Sequence, residues 1–547
     1  MITNPLQKKA FDAVSAALPF EIEAAKITVE PGVSYVQSPI RAHDYATGVM
    51  AAAASVVERF GRMRGLPSQT MSLNRRLSGL RLNDLQLQFL NGYSTLMDNW
   101  AIGPDNGTYR TKDGRYVTMI GLHPRLRDGL LEFLRCPNST AAIRSAVEKK
   151  TAQQLEDEAA PLNLPLFLMR TREEWLDHPQ GKATEKRAMI DIEQKGSDRK
   201  RVLGKAKHRP LDGVRVLELT DVVSGPQGGQ LLAEQGADVI KVQPPLGNVV
   251  YPIWIATSWG KRNILLDVKS AWGKKRFAEL LGSADVLVDS MAPGAIERLG
   301  FDESTRRRLN PSLVYAKLSF AAPGTPWGDR KGFEQTSQAV TGVMDTHSTG
   351  LSEPTLVAAL ITDALTGYLL ATGVVAALSE REEKGGYWDV GAYLMRCAAE
   401  AVTFAASDAP EEVAPVTIQD FVDYGVDQVS PFGTFTRLAP SVQFNHTPSM
   451  AMLPASWPGT SPDTSEWMPV ADAPPKMPAY PSKLAREDGI RNLTVCYGIP
   501  DRGDAPQKPF GLASKDLPED LKAQVQRYME TQKGKRGAHP AAKAANK

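Results

Sequence analysis

The chain has 547 residues, 42% of them hydrophobic and 23% charged, and carries a formal net charge of +2. That length allows two or three domains, and so even a balance of charge gives no reason to expect nucleic acid or an anionic membrane as the main partner. The three cysteines, Cys136, Cys397 and Cys496, stand far apart without a C-x-x-C pair, which argues against a disulfide framework or a metal site and for a reducing compartment.

The N-terminus, MITNPLQKKAFDAV, lacks the apolar core of a signal peptide, so a cytoplasmic location is expected. Residues 1–40 read as a leading helix and an irregular arm. In the next stretch, Asp44-x-x-Thr47-Gly48 is followed fourteen residues after the glycine by Arg62, and Asp363-x-x-Thr366-Gly367 is followed at the same spacing by Arg381. Either one helix unit is duplicated, making residues 1–97 an arm plus a partial copy, or two Ala-rich helices match by chance. Residues 98–194 read as a small α+β domain. Its hairpin over Gly107–Ile120 turns at Asp113-Gly114, where positive φ is required, and helices are predicted over Pro124–Leu134 and Thr151–Ala159. A Gly/Pro-punctuated basic linker, KGSDRKRVLGKAKHRP, fills residues 195–210.

From Leu211 the pattern changes. Val214–Leu219 is a buried-strand run, Ser224-Gly225-Pro226 reads as a loop, a short amphipathic helix follows, and Asp238–Val242 is a second strand. This is a βαβ unit. The glycines at 225, 228 and 229 do not form G-x-G-x-x-G, and Gln243 stands where a ribose-binding acid would end the second strand, so a dinucleotide site fits poorly. The large domain is placed at 211–400 and its closing segment at 401–469. A Pro-rich, then Lys/Ala-rich tail, surface-hugging or disordered, occupies 470–547. The most apolar run, Leu356–Leu378, is interrupted by Asp363, and its charge-free part falls short of the ~20 residues of a membrane span. It reads as a buried helix holding a carboxylate, so no membrane span is expected.

After the βαβ unit come Gly260-Lys-Arg-Asn-Ile-Leu-Leu-Asp-Val-Lys269, Ala284-Asp-Val-Leu-Val-Asp289, Pro293-Gly-Ala-Ile-Glu-Arg-Leu-Gly300, Leu309–Ser319, Gly332-Phe-Glu334 and Thr362-Asp-Ala-Leu-Thr-Gly367. In that order and spacing the set resembles family III CoA-transferases (the CaiB/BaiF type, which takes in formyl-CoA transferases and α-methylacyl-CoA racemases). The resemblance implies an α/β fold: a Rossmann-like large domain with a parallel sheet plus a smaller α+β domain, for which residues 98–194 are the match. It also implies a homodimer, with a CoA thioester as substrate and no permanently bound cofactor.

CoA transfer between acids needs one ionised carboxylate in a closed pocket, which attacks the thioester and holds the acyl group as a mixed anhydride. The resemblance puts Asp363 in that role; local sequence alone favours a helix cap. By position, the pantetheine and nucleotide would lie along Asp221, Val222, Ser224 and Gly225, with Lys261 and Arg298 at the phosphates and Glu334 beside the active site. A small residue at Gly367 would admit the thioester. The basic linker is either an exposed connector or a further phosphate contact. Racemases of the family need a histidine where this chain has Phe333, and a phenyl ring carries no proton. Transfer of CoA between a thioester and a free acid is therefore the expected activity. A non-catalytic CoA-binding or scaffold protein is the alternative, and a racemase or epimerase comes third. The sequence also departs from the family at Ala292, where a basic residue commonly precedes the Pro-Gly pair.

Overall fold

The computed structural model describes residues 2–493 apart from 96–102, 198–201, 246, 248–249, 407–410, 457–465, 479, 488 and 492. Cys496 and most of the expected tail lie outside the described residues. Seven strands form the main sheet: β1 (Asp191–Gln194), β2 (Arg215–Leu219), β3 (Asp238–Gln243), β4 (Lys261–Leu265), β5 (Val286–Asp289), β6 (Val314–Ser319) and β7 (Trp388–Tyr393). Their order is β4-β3-β2-β5-β6-β7-β1, parallel throughout except that β1 runs antiparallel to β7 at the edge.

Alternation along the strands sorts the two faces. Val216, Val239, Val286, Val288, Val314 and Ala316 join one core, while Leu217, Leu219, Ile240, Val242, Leu287 and Tyr315 join another on the opposite side. From β2 the chain winds outward one way through β3 and β4; from β5 it winds the other way through β6 and β7. The order thus reverses between β2 and β5, and a crevice opens beyond their carboxyl ends.

Four helices matter to that crevice: α2 (Ser224–Glu234), α3 (Glu334–Val340) and α4 (Ile361–Lys384) border it, and α1 (Ala42–Met63) packs behind α4. Helix α4 is long and apolar enough to cross a membrane by length and composition, yet its apolar window is entirely buried. It packs along α2 on one side and α1 on the other. Each Leu or Val it buries fully contributes roughly 1.5–3 kcal/mol. The stretch Ser224-Gly225-Pro226, expected as a loop, is instead the first turn of α2, where a proline lacks no bond it would otherwise make.

The glycine of each D-x-x-T-G segment marks a helix contact. A Cβ on Gly367 would lie 2.8 Å from the Ser224 carbonyl oxygen, and one on Gly48 would lie 2.2 Å from that of Gln7. Helix α2 therefore meets α4 backbone to backbone, as the helix Pro5–Ser15 meets α1. The small residue at 367 serves this contact, a different need from the substrate access expected for it.

The small domain builds its own core from the strands Asn106–Arg110, Tyr116–Ile120 and Leu166–Leu168 and from three helices, with Gly114 at φ +77° in the hairpin turn. A helix over Thr140–Val147 joins the two expected ones. The closing segment is shared rather than confined to the large domain. Its strands Gly425–Ser430 and Gly433–Leu438 form a sheet with Gln88–Leu90 and Tyr93–Ser94, and Val442–Phe444 pairs with Met71–Asn74. The described part of the basic linker packs against Arg64 and Glu382 on its way into the start of β2, at the end of the sheet remote from the crevice.

Gly367→Ala forces apart two buried backbones. Overpacking of this kind costs about 1–3 kcal/mol, so urea unfolding should show a loss of that order for Gly367→Ala and for Gly48→Ala.

Candidate active site

Asp363 is the third residue of α4, at the carboxyl end of the sheet. It does not cap the helix. The cap comes from α3, where the Glu334 carboxylate accepts hydrogen bonds from the Thr362 and Asp363 amides and from Gln338 Nε2 at 2.6 Å. These donors, with the helix dipole behind them, favour a charge on Glu334. No donor among the described residues engages the Asp363 side chain. Its backbone is held instead, with Ser224 Oγ donating to the Asp363 carbonyl at 2.8 Å.

Both carboxyls are buried, Glu334 to 2% and Asp363 to 8% exposure. Burial raises both pKa values above the ordinary carboxylate range, and for Asp363 the nearby Glu334 charge raises it further. Glu334 takes the stabilisation that the N-terminus of α4 offers, and burial together with that neighbouring charge disfavours ionisation of Asp363.

The expected binding residues separate into two groups. Asp221 and Val222 line the rim of the crevice. Asp221 is half exposed and its amide donates to Ser290 Oγ at 3.2 Å, across the switch point. Val222 adopts φ +61°, a left-handed backbone that a β-branched residue rarely takes and that marks local strain. Arg298 is exposed at the mouth. Ser224, Gly225 and Lys261, by contrast, are buried in packing. A Cβ on Gly225 would lie 2.5 Å from Ser290 Oγ. Lys261 is 1% exposed and donates to Glu218 at 2.8 Å and to the Pro226 carbonyl. Burial pushes its pKa down to about 7 against the pull of Glu218. Lys261 therefore holds β2, β4 and α2 together and does not face the crevice as a phosphate ligand would.

Phe333 stands before α3, and its ring centroid lies 6.4 Å from that of His123. His123 belongs to the small domain and comes within 3.6 Å of Asp221. It closes the crevice from above and was missed in sequence, although Gly121-Leu122-His123-Pro124 ends a hairpin strand where loops carry function. Two further cations were missed. Lys331, directly before the Gly332-Phe333-Glu334 motif, has its pKa lowered by burial and then by Arg125 and Arg298. Arg125 lies beside His123 on the small domain. Three cations from three segments thus act on one another electrostatically.

Asp44 sits on α1 as Asp363 sits on α4, but its carboxylate is fully engaged. Arg75 donates twice at 2.8 Å, Gln7 Nε2 once at 2.9 Å and Asn4 Nδ2 once at 3.3 Å.

A doubly wound parallel sheet, with a buried carboxyl pair at its switch point and a second domain lying over it, defines an α/β ligand-binding domain. Comparison points to a family: residues 211–435 match the model of CoA-transferase family III, so the large domain is similar to that family. The formyl-CoA:oxalate CoA-transferase of Streptomyces avermitilis is 36% identical over 188 residues, covering 32% of this chain and 46% of that protein. The "probable fatty acyl-CoA transferase Rv3272" of Mycobacterium tuberculosis is 33% identical over 190 residues, covering 32% and 48%. The chain thus spans less than half the length of these curated relatives. Among solved structures, Rv3272 from M. tuberculosis shares 32% identity over 36% of this chain and 57% of its own, at a TM-score of 0.34. A CaiB/BaiF family protein from Brucella suis shares 26% over 42% and 65%, also at 0.34.

Removing Lys261 leaves Glu218 as a buried charge with only Lys241, at 3.7 Å, to offset it. Lys261→Ala should therefore lower stability by on the order of 3 kcal/mol in denaturant unfolding.

Proposed function

We propose that this chain transfers CoA between a CoA thioester and a free carboxylic acid, with Asp363 as the nucleophile. The observation that carries the reading is the contrast between two like aspartates. Attack needs a carboxylate with unoccupied lone pairs at a site a ligand can reach. Asp44 has its lone pairs engaged by four donated bonds, whereas Asp363 is held only through its backbone.

In this reading an ionised Asp363 oxygen adds to the thioester carbonyl, the C–S bond breaks, and CoA leaves as thiolate. The thiolate attacks the aspartyl carbonyl of the mixed anhydride, releasing the first acid as its carboxylate and leaving an aspartyl thioester. The incoming carboxylate opens that thioester, and the returning thiolate takes the new acyl group and frees Asp363. No water is consumed, and the small domain above the crevice serves to exclude it. The nucleophile must first lose its proton, so Glu334 acts as a positioning residue that fixes the first turn of α4 and sets the pH at which Asp363 becomes reactive. The cations Arg125, Arg298 and Lys331 are the proposed partners of the CoA phosphates. The resemblance also implies a homodimer, and with Asp44 blocked the proposal is one working site per chain.

His123 supports a second reading. An imidazole beside Phe333 could exchange an α-proton, as a racemase requires. Deuterium wash-in from heavy water distinguishes the two: a branched acyl-CoA should keep its α-hydrogen over many transfer turnovers.

Asp363→Asn should abolish transfer while CoA still binds, and Asp44→Asn should leave turnover within about twofold. Calorimetric titration should find one CoA per chain. Arg298→Ala or Lys331→Ala should weaken CoA binding several-fold, with the difference shrinking as salt screens these partly exposed charges.

The acid limb of the pH–rate profile should lie above the ordinary carboxylate range, with activity rising as Asp363 deprotonates. Glu334→Gln removes the neighbouring negative charge and so eases that ionisation. The limb should then move to lower pH in the variant.

A further inference from the structure

Five apolar side chains, Leu85, Val223, Ile253, Ala256 and Leu360, form a cluster separate from the main cores, with Val222 packed against it. Their exposures are Leu85 7%, Val223 7%, Ile253 7%, Ala256 6% and Leu360 8%, whereas Ile361 and Leu365 in the body of α4 are at 0%. A small apolar cluster set apart from the main cores, with every member retaining a little surface, suits the wall of a crevice. Two connections place it at Asp363. Leu360 is the residue at which the chain enters α4, directly before the turn that carries Asp363. Val223 precedes Ser224, whose hydroxyl holds the Asp363 carbonyl at 2.8 Å.

We propose that this cluster is the acyl pocket, and that the group transferred is an apolar acyl chain of several carbons rather than a small dicarboxylate. The inference rests on Asp363 as the nucleophile, because the acyl carbon bonded to Asp363 fixes where the rest of the chain must lie. No member of the wall is charged. A second carboxylate there would lose its hydration without a partner and would face the charge on Glu334. Val222, which joins the wall, is held in a left-handed backbone, a strain found where function requires a particular side-chain placement.

Leu85 comes from the N-terminal segment, which gives that segment a part in specificity. It is pinned on both sides of the pocket. Asn83 Nδ2 donates to the Ala358 carbonyl at 2.9 Å, the Leu360 amide donates to Leu82 at 3.2 Å, and Gln88 Nε2 donates to the Pro252 carbonyl at 3.1 Å. The segment whose own aspartate is blocked thus supplies one wall of the other aspartate's site.

The test is kcat/KM for acetyl-, butyryl-, hexanoyl- and succinyl-CoA, with acetate, hexanoate and oxalate as acceptors, in the full chain and in Leu85→Ala and Leu85→Asp. Each added methylene should raise kcat/KM about threefold or more until the pocket is filled, and succinyl-CoA and oxalate should lag. The hexanoyl-to-acetyl ratio should fall several-fold in Leu85→Ala and tenfold or more in Leu85→Asp; being a ratio, it is unaffected by any loss of folded protein. A wild-type ratio near one, a preference for oxalate or succinyl-CoA, or a Leu85 effect equal for all donors, as expected if the wall holds pantetheine, would overturn the inference and leave CoA transfer standing. Absence of transfer with every donor would sink the transfer reading first, and this one with it.

Discussion

The contact between α2 and α4 is the constraint on which the site depends. Gly367 and Gly228 bring the two backbones together, and at the crossing the Ser224 hydroxyl reaches the Asp363 carbonyl. Because α2 begins directly beyond β2, this contact hangs the first turn of α4 over the point where the strand order reverses. The fold supplies the crevice and the glycines deliver the aspartate into it. A side chain at either glycine would press the two backbones apart and displace Asp363 with the first turn of α4.

Electrostatics then divides labour between two carboxyls that cannot both be charged cheaply. The helix N-terminus would normally favour the aspartate, but its amides are taken by Glu334. Glu334 thereby becomes the better-supported anion, and its charge opposes ionisation of Asp363. An aspartate kept protonated is a weak nucleophile, but once ionised in a site with few donors it is a reactive one. Tuning of this kind by burial and a like charge is common where a group must act as a nucleophile or base.

Much of this was legible in the sequence, because parallel strands buried on both faces write their pattern locally. Val214–Leu219, Asp238–Val242 and Ala284–Asp289 were placed to within two residues. The apolar helix carrying Asp363 was also legible, though it runs over Ile361–Lys384 rather than Leu356–Leu378. What the sequence concealed depended on partners far away along the chain. The cap of α4 is 29 residues upstream in Glu334, so Asp363 could not be told from its own cap. Gly and Pro in Ser224-Gly225-Pro226 signal a loop, and only packing on Ser290 and Asp363 makes a helical turn of them. Lys261 reads as an exposed lysine until Glu218, on β2 two strands away, is brought beneath α2. The strands of 425–444 find their partners in 71–94, a pairing between the two ends of the chain that no local pattern announces.

The two D-x-x-T-G helices show what a buried carboxylate costs. A protein can keep one by pairing it, as Arg75, Gln7 and Asn4 pair Asp44, and the result is a firm joint between α1 and the helix Pro5–Ser15. It can also leave one without donors, as with Asp363, where burial and a like charge make ionisation unfavourable and stability suffers. Selection for stability alone would favour the first arrangement, in which Arg75, Gln7 and Asn4 satisfy the carboxylate. Both persist on neighbouring helices with the same glycine contact and the same threonine bonded back to the residue four before it. The unpaired aspartate stands at the crevice and the paired one at a closed joint, so the difference between them follows access to a ligand rather than helix design.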